Sequence, residues 1–247
     1  MENVPVINMT FRSPAPGADP EVWDRYVKWG REVYRPLLMK VPMLKANDLY
    51  WVVRESPDYP FYGSILHYEN IEAAENYFKT PESSAIRDEI SSWTKRGIVE
   101  YFWRVRYELI RSIGSGPVSI LREGTPIENA PVIHIEAYSF SPEEGEKYSK
   151  WLNDFGFNTF IPLIVKLPGL QKYDCFKCLD AAGMAEARET KYPVHLSILY
   201  FENIKAFENY TKSAELVVFQ KALRNLFPNM PVYKWYVQYR LVQSLRK

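Results

Sequence analysis

Three histidines occur in the 247 residues, His67, His134 and His195. Imidazole takes up and releases protons near neutral pH, so these are the first candidates for acid–base work. His134 and Glu136 stand at i and i+2 and share a face if the segment is a strand. A His-x-Glu pair with His67 is conceivable as a set of metal ligands, but no motif supports it and no metal is expected. Cys175 and Cys178 form a single C-x-x-C. A zinc ribbon needs two such pairs, and a redox pair usually opens a helix, whereas this one lies in a predicted strand; the two are read as unrelated small side chains. Neither G-x-G-x-x-G, G-x-x-x-x-G-K-[ST] nor G-x-S-x-G is present. That argues against a nucleotide cofactor and against serine-hydrolase chemistry. Acid–base chemistry by His195 remains, with Tyr62 or Tyr34 able to donate a hydrogen bond to an enolate or phenolate oxygen.

The elements that must hold these residues come in a repeat. Ser64 to Tyr77 reads SILHYENIEAAENY and Ser197 to Tyr210 reads SILYFENIKAFENY, with ten of fourteen positions identical. Pro5-Val6-Ile7 recurs as Pro131-Val132-Ile133, and PLLMKVPMLKAND from Pro36 recurs as PLIVKLPGLQKYD from Pro162. Trp103, Val105, Tyr107 and Leu109 recur as Trp235, Val237, Tyr239 and Leu241. Two copies of a unit of somewhat over ~100 residues follow, each long enough for a small core. Domains are expected at 1–112 and 130–247, with a Gly- and Pro-rich linker at 113–129 that holds one short strand at Val118–Leu121. The second copy has the longer connection before Ser197, around DAAGMAEARETKYP, which reads as a loop.

Within a copy, alternation predicts a strand at Val6–Arg12. Asp19-Pro20 is a helix start, and Trp23, Tyr26, Val27, Gly30, Val33, Tyr34 and Leu37 make one face of a helix reaching Leu38. Strands follow at Leu49–Arg54 and Phe61–Tyr68. Asn70, repeated as Asn203, caps the next helix; another covers Ser83–Lys95, and Val99–Leu109 is the last strand. The order β-α-β-β-α-β is the ferredoxin-like split βαβ unit. Its sheet has helices on one face only, so a second sheet can cover the other. The expected α+β architecture is two tandem units whose antiparallel sheets pack face to face as an intramolecular α+β barrel.

Composition narrows the partners. A net charge of +1 argues against a protein built to neutralise nucleic-acid phosphates. No stretch is long and apolar enough to span a membrane and no leader segment is evident, so a cytoplasmic protein is expected. Aromatic residues make up 15% of the chain, which fits either two well-filled cores or a pocket walled by rings.

The third strand and following helix of both copies, with the Pro-bounded first helix, resemble the dimeric α+β barrel superfamily over nearly the whole chain. The resemblance implies a single-chain version of what is usually a homodimer. It extends to EthD-type, antibiotic-biosynthesis-monooxygenase and polyketide-cyclase-like proteins, to muconolactone isomerases and to haem-dependent enzymes of the chlorite dismutase type. It also implies a small apolar or aromatic ligand held between sheet and helices. On that footing Tyr62, Ser64, Leu66 and Tyr68 face the pocket, as do His195, Ser197, Leu199 and Phe201. Ile7, Met9 and Phe11, with Ile133, Ile135 and Ala137, are expected on the same helix-facing side. Asn8, Thr10, His134, Glu136, His67 and Tyr200 are expected toward the other sheet, with Asn8, His67, His134 and Glu136 as a polar interface cluster.

His195 and Tyr62 are the expected catalytic groups. Tyr26, Trp29, Tyr34, Trp151, Phe155, Phe160 and Ser197 are the expected substrate-binding groups. The implied function is a small-molecule enzyme acting on an apolar, aromatic or polyketide-like substrate. Its reaction is acid–base chemistry (cyclase, isomerase or lyase) or oxygenation without a cofactor. A non-catalytic binding or structural barrel stays open, and so does a haem barrel, although the second copy has no histidine on a predicted helix to serve as axial ligand. Divergence of Tyr62 to His195 and of Asn8 to His134 points to one working pocket, in the second copy. A monomer or weak homodimer is expected.

Overall fold

The computed structural model describes residues 4–54, 59–114, 125–180, 193–226 and 232–247. The strand expected at Val118–Leu121 and nearly all of the longer second-copy connection lie outside these residues. The described chain divides into two compact units, unit 1 with residues 4–109, 178–180 and 242–247, and unit 2 with residues 110–177 and 193–241.

Unit 1 runs β1 (Val6–Pro14), α1 (Pro20–Trp29), a π-helical stretch (Gly30–Tyr34), α2 (Arg35–Leu38), β2 (Leu44–Val52), β3 (Tyr62–Tyr68), α3 (Ile71–Tyr77), α4 (Pro81–Lys95) and β4 (Val99–Gly114). Unit 2 runs β5 (Val132–Ser139), α5 (Pro142–Trp151), a π-helical stretch (Leu152–Phe160), α6 (Ile161–Ile164), β6 (Leu170–Asp180), β7 (His195–Phe201), α7 (Ile204–Thr211), α8 (Ala214–Leu226) and β8 (Val232–Arg246). The strand pairs within each unit are antiparallel. β1 lies between β3 and β4, with β2 beyond β3; β5 lies between β7 and β8, with β6 beyond β7. Residues 110–114 of β4 belong to unit 2, and residues 242–246 of β8 belong to unit 1.

Local chemistry accounts for the helix starts. Asp19 accepts from Glu21 N–H at 2.8 Å ahead of Pro20. Asn70 accepts from Ala73 N–H at 2.8 Å, and Asn203 from Ala206 N–H at 2.9 Å. Each satisfies a donor the first turn leaves open. The repeat extends to irregularities. The register shifts after Phe11 in β1 and after Ala137 in β5, and again after Leu44 in β2 and Leu170 in β6, always 126 residues apart. Volume is exchanged across one pair. Phe11 faces Gly63, where a Cβ would sit 2.5 Å from the ring, while at the matching positions Ala137 faces Leu196.

The faces of β1 and β5 are the reverse of the expected ones. Register pairs Val6 with Tyr68, Asn8 with Leu66, Thr10 with Ser64 and Arg12 with Tyr62. Val6, Leu66 and Tyr68 pack with Trp23 and Tyr26 of α1, and Arg12 bonds Tyr26. Asn8 and Thr10 therefore face the helices, whereas Ile7, Met9 and Phe11 face away. In unit 2 His134, Glu136 and Tyr138 pair with Leu199, Ser197 and His195 on the helix face, and Ile133, Ile135 and Ala137 point away. The reason is burial on both sides. Every residue from Val6 to Arg12 is buried, so apolar character does not distinguish the faces and a one-residue shift inverts them. Nor do Asn8, His67, His134 and Glu136 form one cluster. Asn8 is on the helix face of its sheet, while His67, opposite Ile7, is on the other.

His67 instead meets Asp48, Nε2 to Oδ2 at 2.8 Å. Asp48 also accepts from Ser244 at 2.8 Å and pairs with Arg246 at 2.6 Å, which ties the last residues of β8 to β2 within unit 1. Burial alone would raise its pKa, but His67 and Arg246 outweigh that and hold Asp48 at about 2, against 3.8 ordinarily.

Two measurements test this packing. Gly63→Leu drives a side chain into Phe11 and costs about 1–3 kcal/mol or more in urea unfolding. Combined with Phe11→Ala it should lose at least ~1 kcal/mol less than the two single changes added. Because the folded pKa of Asp48 lies below its unfolded value, its contribution is present above pH 4 and is lost as pH falls toward 2. The loss is about 2 kcal/mol, and Asp48→Asn should remove that part of the acid dependence.

Candidate functional site

Unit 2 contains a cavity of about 360 Å³ between its sheet and its helices, within the range of small-ligand pockets. The sheet side is made by Glu136 and Tyr138 of β5, Tyr173 of β6, Leu199 of β7 and Tyr236 of β8. Tyr148 and Trp151 of α5 and Leu152 and Phe160 of the π-helical stretch close one flank; Tyr210 and residues of α8 from Leu216 to Arg224 close the other. Ser141 starts α5 by accepting from Glu144 N–H at 3.3 Å. The π-helical stretch then widens the helix, with Ile161 N–H bonding back to Gly156 O, and its Leu152 and Phe160 both reach the cavity. Such wide turns are common at functional sites.

The walls are apolar and the polar groups are few. Glu136 and Arg224 carry the charge among the described lining residues. Gln238 Nε2 donates to His134 Nδ1 at 2.9 Å, which leaves the ring proton on Nε2, 3.3 Å from Glu136 Oε1. His134, 1% exposed, thus sets its ring beside a carboxylate that remains partly open to the cavity, in contact with it but with no hydrogen bond from Nε2. Phenols surround it. Tyr138 and Tyr148 share a hydrogen bond of 2.6 Å, and Tyr173 shares one of 2.6 Å with Ser197. Burial holds the phenols of Tyr138, Tyr148, Tyr173 and Tyr210 well above their ordinary pKa, and the Glu136 charge adds to this at Tyr148, Tyr173 and Tyr210. Tyr236 is pushed up to about 12 by burial and then by Glu136. All these hydroxyls stay protonated near neutral pH and serve as donors.

The groups expected from sequence are distributed unevenly. Trp151 and Phe160 line the cavity. Phe155 is 43% exposed, with its ring against Trp151 and Phe160. Ser197 is buried under Tyr173. His195 stacks on Tyr138 at 5.6 Å and meets Phe140 and Tyr148 edge-on, but it is not itself a lining residue. Burial, then the Lys177 charge across the strand pair, lowers its pKa below 6.5, so it is neutral at pH 7. Tyr62, Tyr26, Trp29 and Tyr34 belong to unit 1, where they pack with Trp23: Trp23 meets Tyr26 and Tyr62, Tyr26 meets Trp29, and Trp29 stacks on Tyr34 at 5.4 Å. Glu136 and the phenols of Tyr138, Tyr148, Tyr173, Tyr210 and Tyr236 were missed as pocket groups. For Glu136 and Tyr138 the signal was their shared face on β5, once that face is turned toward the helices.

Among the described residues no group of three or more His, Cys, Asp or Glu could hold a metal ion, and Cys175 and Cys178 form no disulfide with each other. No helix there is long and apolar enough to cross a membrane.

His195 should titrate below 6.5 when its ring protons are followed by NMR. Because the folded state disfavours its protonated form, the stability linked to it is complete above pH 6.5 and declines as pH falls below that value.

Neither a protein-family model nor a curated protein sequence matches the chain. Solved structures do match in fold. A candidate monooxygenase from Fusobacterium nucleatum has a TM-score of 0.66 at 11% identity, covering 100% of this chain and 96% of its own. An anthrone oxidase-like protein has a TM-score of 0.62 at 12% identity, covering 99% and 94%. A mutant chlorite dismutase from Candidatus Nitrospira defluvii, in complex with cyanide, has a TM-score of 0.52 at 9% identity, covering 98% and 92%. These neighbours are proteins of the dimeric α+β barrel superfamily, and the likeness is one of fold.

Proposed function

We propose that the chain is a tandem duplication of a ferredoxin-like unit and that its second copy is a small-molecule enzyme that removes a proton from an apolar, aromatic substrate. The observation that carries this is one carboxylate, Glu136, beside the buried His134 ring and set among protonated phenols in an apolar cavity. A flat substrate lies against Trp151 and Phe160. Its acidic C–H or O–H is directed at Glu136, which takes the proton. The electron pair left behind spreads onto a substrate oxygen, which accepts hydrogen bonds from hydroxyls such as those of Tyr173, Tyr210 or Tyr236. The anion then closes a ring, isomerises or reacts with dioxygen. The monooxygenase and anthrone oxidase names among the fold neighbours are compatible with the last course.

His195 is proposed to orient Tyr138 by stacking rather than to accept the substrate proton. A purely structural pair of cores is disfavoured by the volume of the cavity. Haem, which the fold family admits, fits poorly. The described lining holds no His, Cys or Met, and its phenols are pushed toward the neutral form rather than the phenolate an axial ligand would be.

A panel of hydroxylated polycyclic aromatics should yield a substrate whose turnover falls by about 10²–10⁴-fold in Glu136→Gln and by less than about tenfold in His195→Phe. Full turnover in Glu136→Gln would remove the assignment.

A further inference from the structure

The interior of unit 1 is built from different chemistry at the positions that make the cavity of unit 2. At the common spacing of 126 residues, Thr10 stands where Glu136 does, Arg12 where Tyr138 does, Arg35 where Ile161 does and Asn47 where Tyr173 does. A carboxylate is lost and two guanidiniums are gained. Both are shut in, Arg12 at 3% and Arg35 at 1% exposure. Arg12 Nη1 donates to Tyr26 Oη at 2.6 Å, and its guanidinium lies 5.9 Å from the Tyr34 ring centre and 5.6 Å from that of Tyr62.

Arg35 is satisfied only in part. Its Nη2 donates to the backbone carbonyls of Asn47 at 2.7 Å and Gln243 at 3.4 Å, while Nε and Nη1 have no hydrogen-bond partner among the described residues. Asp48, the acid whose charge it feels, is already held by His67, Ser244 and Arg246. Burial lowers the pKa of Arg35 to about 10, with the Arg12 charge adding to the effect, yet it remains a cation at neutral pH. A buried cation whose nearby acid is already engaged by other groups is costly, and removing the charge by an apolar substitution is often tolerated, as Ile161 shows at the matching position. Another donor is near. The Arg35 N–H bonds to Gly30 O across the π turn, a Cβ on Gly30 would lie 3.2 Å from the Tyr62 hydroxyl oxygen, and Tyr62 and Tyr34 both lie within electrostatic reach of the Arg35 guanidinium.

We propose that unit 1 holds a site for a small carboxylate, which accepts from Arg35 Nε–H and Nη1–H and lies in the field of Arg12. One negative charge and a flat shape suit a place bordered by the Tyr34 and Tyr62 rings. A tetrahedral dianion would call for more donors than Arg35 and the Tyr62 hydroxyl supply. The site is independent of the activity assigned to the unit 2 cavity.

The test uses the full chain in buffer free of phosphate and carboxylate. Sodium acetate and sodium benzoate are compared with sodium chloride at matched ionic strength, by thermal unfolding and by NMR of the arginine Nε–H groups. A carboxylate should raise Tm saturably where chloride does not. It should also move one slowly exchanging Nε–H signal that is missing in Arg35→Ile. Affinity should fall roughly tenfold or more in Arg35→Ile and stay unchanged in Glu136→Gln. If Arg35→Ile does not fold, Arg35→Lys, which keeps the charge without the planar fork, should bind more weakly than the native chain. Equal responses to chloride and carboxylates, undiminished affinity in the Arg35 variant that folds, or stabilisation by inorganic phosphate alone would overturn the proposal.

Discussion

A strand closed to water on both faces has to find an internal partner for every polar side chain it carries, and β1 and β5 are strands of that kind. Their helix faces hold Asn8, Thr10 and Arg12 in one unit and His134, Glu136 and Tyr138 in the other. What those side chains meet decides what each interior can do. In unit 1 Arg12 reaches a tyrosine hydroxyl of the covering helix. In unit 2 His134 is taken up by Gln238 and turned toward Glu136, whose carboxylate then opens onto an apolar space.

The two units show how one backbone plan carries two chemistries. Bulges, caps and register are retained at matching positions, while side-chain volume and charge are exchanged. Phe11 with Gly63 becomes Ala137 with Leu196, and a buried guanidinium at 35 becomes an isoleucine at 161. Cross-strand pairs tolerate such exchange when total volume is kept. The space over the sheet is therefore free to diverge without loss of the fold. In unit 1 rings such as Trp23, Tyr26 and Trp29 pack against one another over part of it, beside the buried Arg12 and Arg35; in unit 2 part of it stays open as the cavity.

Much of this architecture was legible in residue order. Asp19-Pro20 and the two Asn caps mark helix starts because the first turn of any helix lacks acceptors for its N–H groups. The repeated SIL…ENY segment locates β3 and β7 and the helices after them. Trp151 and Phe160 were legible as pocket walls because aromatic residues on a sheet-facing helix have few other places to go. The facing of β1 and β5 was not legible, because alternation identifies a face only when one side is wet. Glu136 was consequently assigned to the wrong side, and the role of the phenols around it was hidden. Tyr148, Tyr173, Tyr210 and Tyr236 come from four different elements, and nothing in their spacing brings them together.

The sequence by itself determined that there are two similar units, each an antiparallel sheet with helices, since local signals of capping, turn and periodicity act over a few residues and repeat with the copy. Only the tertiary structure decided which strand face meets the helices, that a cavity survives in unit 2, and that a carboxylate rather than an imidazole opens into it. Those outcomes depend on register and on the summed volume of side chains distant in the chain, and neither is encoded in any single segment.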